Sequence, residues 1–291
     1  MRYNGWHAGR SQGVGSLLRE WRKMRRMSQL ELASRADSSA RHISFIETGR
    51  ASPSRNILLR LADQMDIPIR ERNVLLVAAG FAPFFPENSF TETGDLSVVR
   101  EELKRLLVAY DPNPVFIRDA QYRVIEANRA FHALMSDVAE HLLLPSPNVM
   151  RLTMHPEGLA PRIHKYHLWR AHLLGRLRHQ LTMSGSETLR ELYEEVSHYP
   201  APPPRHGENT GPDRDDAFRF PFALPLLMEH EGQVLSFVSA VMSLSAPTEV
   251  TVSELEVEIF LPANPETAQA LQAMGERITR MERGRGIRSL T

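Results

Sequence analysis

Residues Ser28 to Gly49 (SQLELASRADSSARHISFIETG) constrain the fold more than any other stretch of this chain. Leu32, Ala33 and Ala36 share one face of a first short helix, and Ile43 and Ile46 share one face of a second. Ala33 is telling, because two helices that cross closely need a small side chain at the contact. Asp37 stands at the turn between them, where the spacing calls for positive φ, and Asp tolerates that better than most residues. Ser39 is then placed to cap the second helix. The helical period continues on both sides, through Val14, Leu17, Leu18 and Trp21 and again through Leu58, Leu61, Ala62 and Met65. Pro53 breaks the chain before the latter run, which Ser54 or Asn56 can cap. Up to Gly80 the reading is all-α.

Charge separates this stretch from the rest. Met1 to Gly80 holds 14 Lys and Arg against 7 Asp and Glu, and the remainder holds 21 against 28, although the whole chain balances at 35 each. A basic first part suggests a polyanionic partner. Apolar residues at 42% and charged residues at 24% exclude wholesale disorder. There are no cysteines, which removes disulfides, thiol nucleophiles and thiolate metal sites and suits a reducing compartment. No run reaches the ~18 apolar residues of a membrane span, and residues 1–16 lack a leader's apolar core. A cytoplasmic protein without a membrane partner is expected.

Leu17 to Gly80 resembles the helix-turn-helix family of the phage repressor and Cro type, the XRE-like proteins. Gln29 opening the second helix, Leu32-Ala33, Ile43, Ile46-Glu47 and Gly49 carry the likeness, with Pro53, Leu58, Leu61-Ala62 and Ala79-Gly80 continuing it. Asp37 replaces the usual turn glycine, and Ser38 stands where a small apolar residue is common. The resemblance implies that the helix Ser39–Thr48 enters the major groove of a double-stranded DNA operator. Positions facing away from Ile43 and Ile46 are then the readers: Ala40, Arg41, Ser44 and Phe45 at base edges. Arg41 suits a guanine, and Ala40 or Phe45 a thymine methyl. Gln29, Ser39 and Arg50 are expected on phosphates. Glu47, acidic in a basic surface, is expected to tie to a backbone donor or a nearby Arg. A helical bundle for protein contacts is the weaker alternative, given the length of the match and the basic excess.

Phe81 to Leu96 carries prolines, a glycine and small polar residues, yet its Phe81, Phe84, Phe85 and Phe90 are too apolar for a free tether. It is expected to lie against a domain surface. Tyr199 to Asp216 reads as a long exposed loop. Between these, a helix ends near Ala109, short strands cover Val115–Arg118 and Arg123–Glu126, and Asn128 caps a helix bearing Phe131, Leu134 and Met135. Helices follow over Arg162–Met183 and Glu187–Ser197, then strands over Ala217–Met228, Val234–Leu244 and Glu249–Leu261, and a closing helix over Pro265–Arg280.

Asp111 to Met135 is similar to the start of a PAS domain. Asn148–Pro156 (NVMRLTMHP) and Val250–Thr267 (VTVSELEVEIFLPANPET) further resemble the ligand-binding domain of MmyB-like bacterial regulators, with Asn264 where that pattern more often has Asp. The fold class is therefore multi-domain, an all-α helix-turn-helix domain followed by an α/β PAS-like sensor. The boundaries are 1–80, a linker 81–97, the sensor 98–281 and a tail 282–291. The resemblance implies a sheet and helices around an apolar cavity for a fatty acid or similar lipophile. Phe116, Phe131, Met135, Met150, Trp169, Leu173, Phe222 and Phe237 are the apolar candidates for its lining, each also explicable as plain core. Arg170, His167 and His164 share the helix of Trp169 and offer a cation to a carboxylate.

No metal site or cofactor is expected: of His164, His167, His172 and His179 only the first pair has helix-face spacing, and no HExxH appears. No GxSxG elbow or P-loop supports an enzyme. One reading helix buries too little surface for operator affinity, so a homodimer on paired half-sites is expected. A C-terminal domain serving only dimerisation or partner binding is the alternative.

Overall fold

The computed structural model describes residues 13–88, 90, 96–184, 186–203, 224–244 and 248–284. The chain divides into two compact units, one of Met1–Asn88, Gln180–Thr188 and Ala246–Ser253, the other of Ser89–His179, Leu189–Ser245 and Glu254–Thr291. Residues 180–188 and 246–253 group with the helical unit in this division, although the sequence reading places them within the segment 98–281.

The first unit is built on α1 (Val14–Met24), α2 (Gln29–Arg35), α3 (Ala40–Glu47), α4 (Arg55–Gln64) and α5 (Ile69–Ala78). Serines start three of them: the Ser28, Ser39 and Ser54 hydroxyl oxygens accept from the backbone N–H of Glu31, His42 and Ile57. Each such cap stabilises its helix by about 1 kcal/mol. Of the two caps considered for α4, Ser54 is the one used. Leu17, Leu18, Trp21, Leu32, Ala33, Ile43, Ile46, Leu58, Leu61 and Leu76 form one buried core. Asp37 has φ +47°, as the α2–α3 turn required. Helices α1 and α3 approach so closely that a Cβ on Gly15 would lie 2.2 Å from the Ile46 carbonyl oxygen.

The start of the expected linker lies on this unit. Phe81 packs against the helical core. The Asn73 side chain accepts from the Phe84 and Phe85 N–H groups and donates to the Phe85 carbonyl. Glu249 accepts from the Asn88 N–H and caps Val252. That cap makes Val250–Ser253 a single helical turn, α12, so the expected strand over Glu249–Leu261 is shortened at its start. Residues 89 and 91–95 lie outside the described residues.

The second unit is α/β and PAS-like. Its sheet comprises β1 (Val115–Arg118), β2 (Val124–Ala127), β3 (Leu226–His230), β4 (Gln233–Ser243) and β5 (Glu256–Pro262), in the order β2-β1-β5-β4-β3. Every neighbouring pair is antiparallel. Alternation along the strands sorts the side chains into two faces. Val115, Ile117, Val257 and Ile259 pack with Leu103 and Leu107 of α6 (Ser97–Ala109). Phe116, Phe237, Glu258 and Phe260 belong to the opposite face, which meets side chains of α7 (Arg129–Leu134), α9 (Val149–Met154) and α10 (Tyr166–Ser184); α8 (Glu140–Leu143) and α11 (Glu187–Ser197) are the other α-helices between β2 and β3 among the described residues. Helix α13 (Pro265–Gly284) closes the described chain.

Asn128 ties the first strand pair to α7. Its side-chain oxygen accepts from the N–H groups of Phe131 and Val115, and its amide donates to Asp111 and to the Asn113 carbonyl. Three sequence expectations need correction. Helix α10 starts at Tyr166, not Arg162, because Ile163 bridges to Met228 and Lys165 turns to φ +50°. The strand expected over Ala217–Met228 is Leu226–His230 where it is described, residues 217–223 lying outside. The tail expected from 282 is still helical to Gly284, with residues 285–291 outside the described residues.

Candidate functional site

In the first unit the candidate site is the outer face of α3. Ile43, Ile46 and Glu47 are buried, which turns the opposite face outward. There Arg41 is exposed, and Ala40, Ser44 and Phe45 are half-buried. The Arg41 guanidinium sits 5.2 Å from the centre of the Phe45 ring, a cation–π contact that pre-orders a long side chain. Arg50 is exposed just past the helix end. The Ser39 hydroxyl accepts from His42 N–H, leaving its proton for an outside acceptor such as a phosphate.

Gln29 is more committed than its expected phosphate role required. Its amide donates to Glu47 Oε2 at 2.9 Å. Glu47 in turn receives a two-pronged pair from Arg22, Nε to Oε1 at 2.6 Å and Nη2 to Oε2 at 2.9 Å. Arg22 is therefore the arginine partner expected for Glu47, and it also donates to the Met27 carbonyl. The Glu47 side chain is 3% exposed. Burial opposes its ionisation, but the hydrogen bonds from Arg22 and Gln29 outweigh that and hold the carboxyl below the usual range. One buried carboxylate thus locks α1, α2 and α3 together behind the reading face. Sequence reasoning found Glu47 but not Arg22, whose place one turn past Leu18 on a basic helix carries no distinguishing signal.

In the second unit the candidate site is a cavity of about 30 Å³. Phe116, Phe131, Met135, Trp169, Leu173 and Phe237 line it, joined by Leu134, Leu152, Thr153, Met228, Glu258 and Phe260 among others. Phe116 is the hub: its ring lies 5.0 Å from that of Phe131 and 5.9 Å from that of Phe260. Met150 is buried but off the wall. His167 is half-buried and also off it, and Arg170 donates to the Ser197 carbonyl at 2.6 Å. Phe222 lies outside the described residues. The volume matches about one water molecule, so a larger guest requires side chains to move. Met135 and Met228, unbranched and flexible, are the wall residues most able to do so.

Glu258 is the charged group on that wall, 4% exposed in its side chain. It accepts from Ser239 Oγ at 2.9 Å and pairs with Arg176 at 3.3 Å and Arg118 at 3.7 Å. Arg118, itself 2% exposed, also pairs with Glu256 and lies 4.1 Å over the Tyr122 ring. Burial works against the Arg176 charge, but Glu258, together with Tyr122 and Glu256, outweighs it and raises its pKa. Sequence reasoning missed this cluster. Its available signal was period-two alternation, which puts Glu258 on the face of Phe260 and demands a partner for any charge there.

The helical histidines of α10 form no ligand set among the described residues. Three metal-capable side chains do meet elsewhere: His141, His155 and Glu157 bring one ligand atom each within 4.8 Å. His155 Nδ1, however, accepts the Glu157 N–H at 3.1 Å, which leaves the proton of the neutral ring on Nε2.

Two family models match the chain. The MmyB-like transcription regulator ligand binding domain matches residues 99–274, and a helix-turn-helix domain matches residues 18–72. No curated protein matches the chain. Among solved structures, an RNA-binding light-oxygen-voltage receptor aligns with 94% of this chain at 12% identity and a TM-score of 0.25. The chain spans 65% of that structure's length. Among the described residues no helix is long and apolar enough to cross a membrane.

Proposed function

The chain belongs to the MmyB-like transcription regulators, as a DNA-binding helix-turn-helix protein with their ligand-binding domain, and from this we propose that a lipophilic effector in the apolar cavity, a fatty acid or a similar molecule, adjusts how tightly paired α3 helices hold an operator. The observation that carries the proposal is the cavity: a wall of Phe116, Phe131, Met135, Trp169, Leu173 and Phe237 on a sheet face with flexible methionines able to yield. We assign the chain no catalytic step and place its action inside the cell, where its operator is.

The mechanism is a coupling between two sites. An effector that binds one state of the sensor better than another shifts the DNA-reading arrangement, by no more than its differential affinity for the two. Residues 81–96, aromatic and proline-rich, are one covalent path for that shift. Two α3 helices from a homodimer supply the affinity that one cannot. Mass spectrometry of small molecules released from the purified chain tests the sensor directly. A bound lipid that alters operator affinity on titration supports it. Operator affinity unchanged by every molecule that occupies the cavity contradicts it and favours a C-terminal module serving dimerisation alone.

The DNA face has its own test. Arg41→Ala is expected to lower discrimination between operator and random duplex by about tenfold, since a lost bidentate base contact costs about 1–3 kcal/mol of specificity. Arg50→Ala is expected to weaken both duplexes alike, and to lessen the salt dependence. Competition binding at two salt concentrations separates these; equal loss from both changes would refute the division of roles.

A further inference from the structure

We infer that the cavity selects a lipophile with an uncharged head carrying both a hydrogen-bond acceptor and a donor, such as an alcohol or a primary amide, over the ionised carboxylate of the same chain. The inference rests on the lipophile-sensor reading above and specifies the chemistry of its guest. Three polar side chains interrupt the apolar wall: Thr153, Trp169 and Glu258. The Thr153 hydroxyl spends its proton on the Val149 carbonyl at 2.7 Å and keeps only acceptor capacity. Glu258 is an acceptor by nature, a carboxylate held by Ser239, Arg176 and Arg118. Trp169 differs. Its residue is 4% exposed, and its indole N–H is buried with no hydrogen-bond partner among the described residues.

An orphaned buried donor is costly, and native structures rarely leave one without a reason. A guest oxygen removes that cost. One acceptor on the guest thus meets Trp169, and one donor meets Glu258 or Thr153. A hydroxyl or a primary amide supplies both. An ionised carboxylate supplies acceptors only, and it brings a second negative charge to a wall whose own charge is Glu258. The cations beside Glu258 do not reverse this. Arg118 and Arg176 are matched by Glu256 and Glu258, so the cluster is neutral before a guest arrives. The cationic side chain closest in sequence to Trp169, Arg170, is off the wall and bonded to Ser197.

Calorimetry of the full chain with octanol, octanamide and octanoate, at mildly alkaline pH where the acid is ionised, tests this. Octanol and octanamide are expected to bind at least about tenfold more tightly than octanoate, the effect of one unmet buried polar group. Glu258→Gln, which keeps shape and removes the charge, is expected to narrow that gap severalfold. Trp169→Phe, a milder change to the fold, removes the donor that an acceptor on any of the three guests meets, and is expected to weaken all three severalfold. Octanoate binding as tightly as octanol, a gap untouched by Glu258→Gln, or affinities untouched by Trp169→Phe overturns the inference and leaves the lipophile sensor standing. No binding by any of the three overturns the sensor reading itself.

Discussion

Replacing Gly15 with alanine is expected to cost the DNA-binding unit about 3 kcal/mol, and operator binding with it. The added Cβ would lie 2.2 Å from the Ile46 carbonyl oxygen and 3.0 Å from that of Glu47. Both are backbone atoms of α3, so relief requires moving the reading helix itself. Helix propensity works the other way, since alanine in place of glycine favours a helix by about 1 kcal/mol. The clash must overcome that gain. Gly175 in α10 supplies the matched control, because a Cβ there meets nothing within 4 Å. Gly175→Ala is expected to stabilise by up to about 1 kcal/mol. Thermal unfolding of the two variants should show shifts of opposite sign. A stable, operator-binding Gly15→Ala protein would mean that α1 and α3 do not pack as described.

The second large effect is at Glu47. Glu47→Ala is expected to destabilise the helical unit by about 3–5 kcal/mol, the cost of leaving one member of a buried pair alone. Arg22, 11% exposed, would lose both prongs of its pair, and Gln29 would lose its acceptor. Glu47→Gln keeps an acceptor for one donor and should fall between alanine and the parent. The carboxyl also fixes a pH dependence. Its folded pKa lies below the ordinary 4.5, so its contribution is complete above that value and is lost as pH falls through the folded value. The parent is therefore expected to lose helical-unit stability on acidification below about pH 4.5, and Glu47→Gln to lose less over the same window. Urea unfolding across that range measures both. Equal acid sensitivity in the two proteins would place the titrating group elsewhere.

These two residues also show what one sequence can and cannot disclose. Elements set by local chemistry were readable: Asp37 in its positive-φ turn, the Ser39 and Ser54 caps, Asn128 before α7, and the strand-like run of β4. Gly15 was not, because its necessity comes from the backbone of a helix some thirty residues away, and no local pattern marks such an approach. Glu47 was suspected from its sign alone, and its partner emerged only with the packing of α1. At the cavity the same rule holds. Apolar wall positions such as Phe116, Trp169 and Leu173 were candidates through the family resemblance and their size, each equally explicable as plain core. Glu258 was hidden within a strand-like run, and its arginines come from β1 and α10, far apart in the chain. The start of α10 was misplaced because a bridge from Ile163 to β3 and a left-handed φ at Lys165 hold these residues out of the helix, and neither has a mark in the local sequence.

The central claim is that α3 reads a particular duplex and that the remainder of the chain governs how well it does so. Selection of bound sequences from a random duplex pool by the full chain, at modest ionic strength, tests it most directly. One enriched sequence, organised as two half-sites and losing definition with Arg41→Ala, is the expected result. A pool that stays random after repeated rounds, with binding that merely fades as salt rises, would contradict the account.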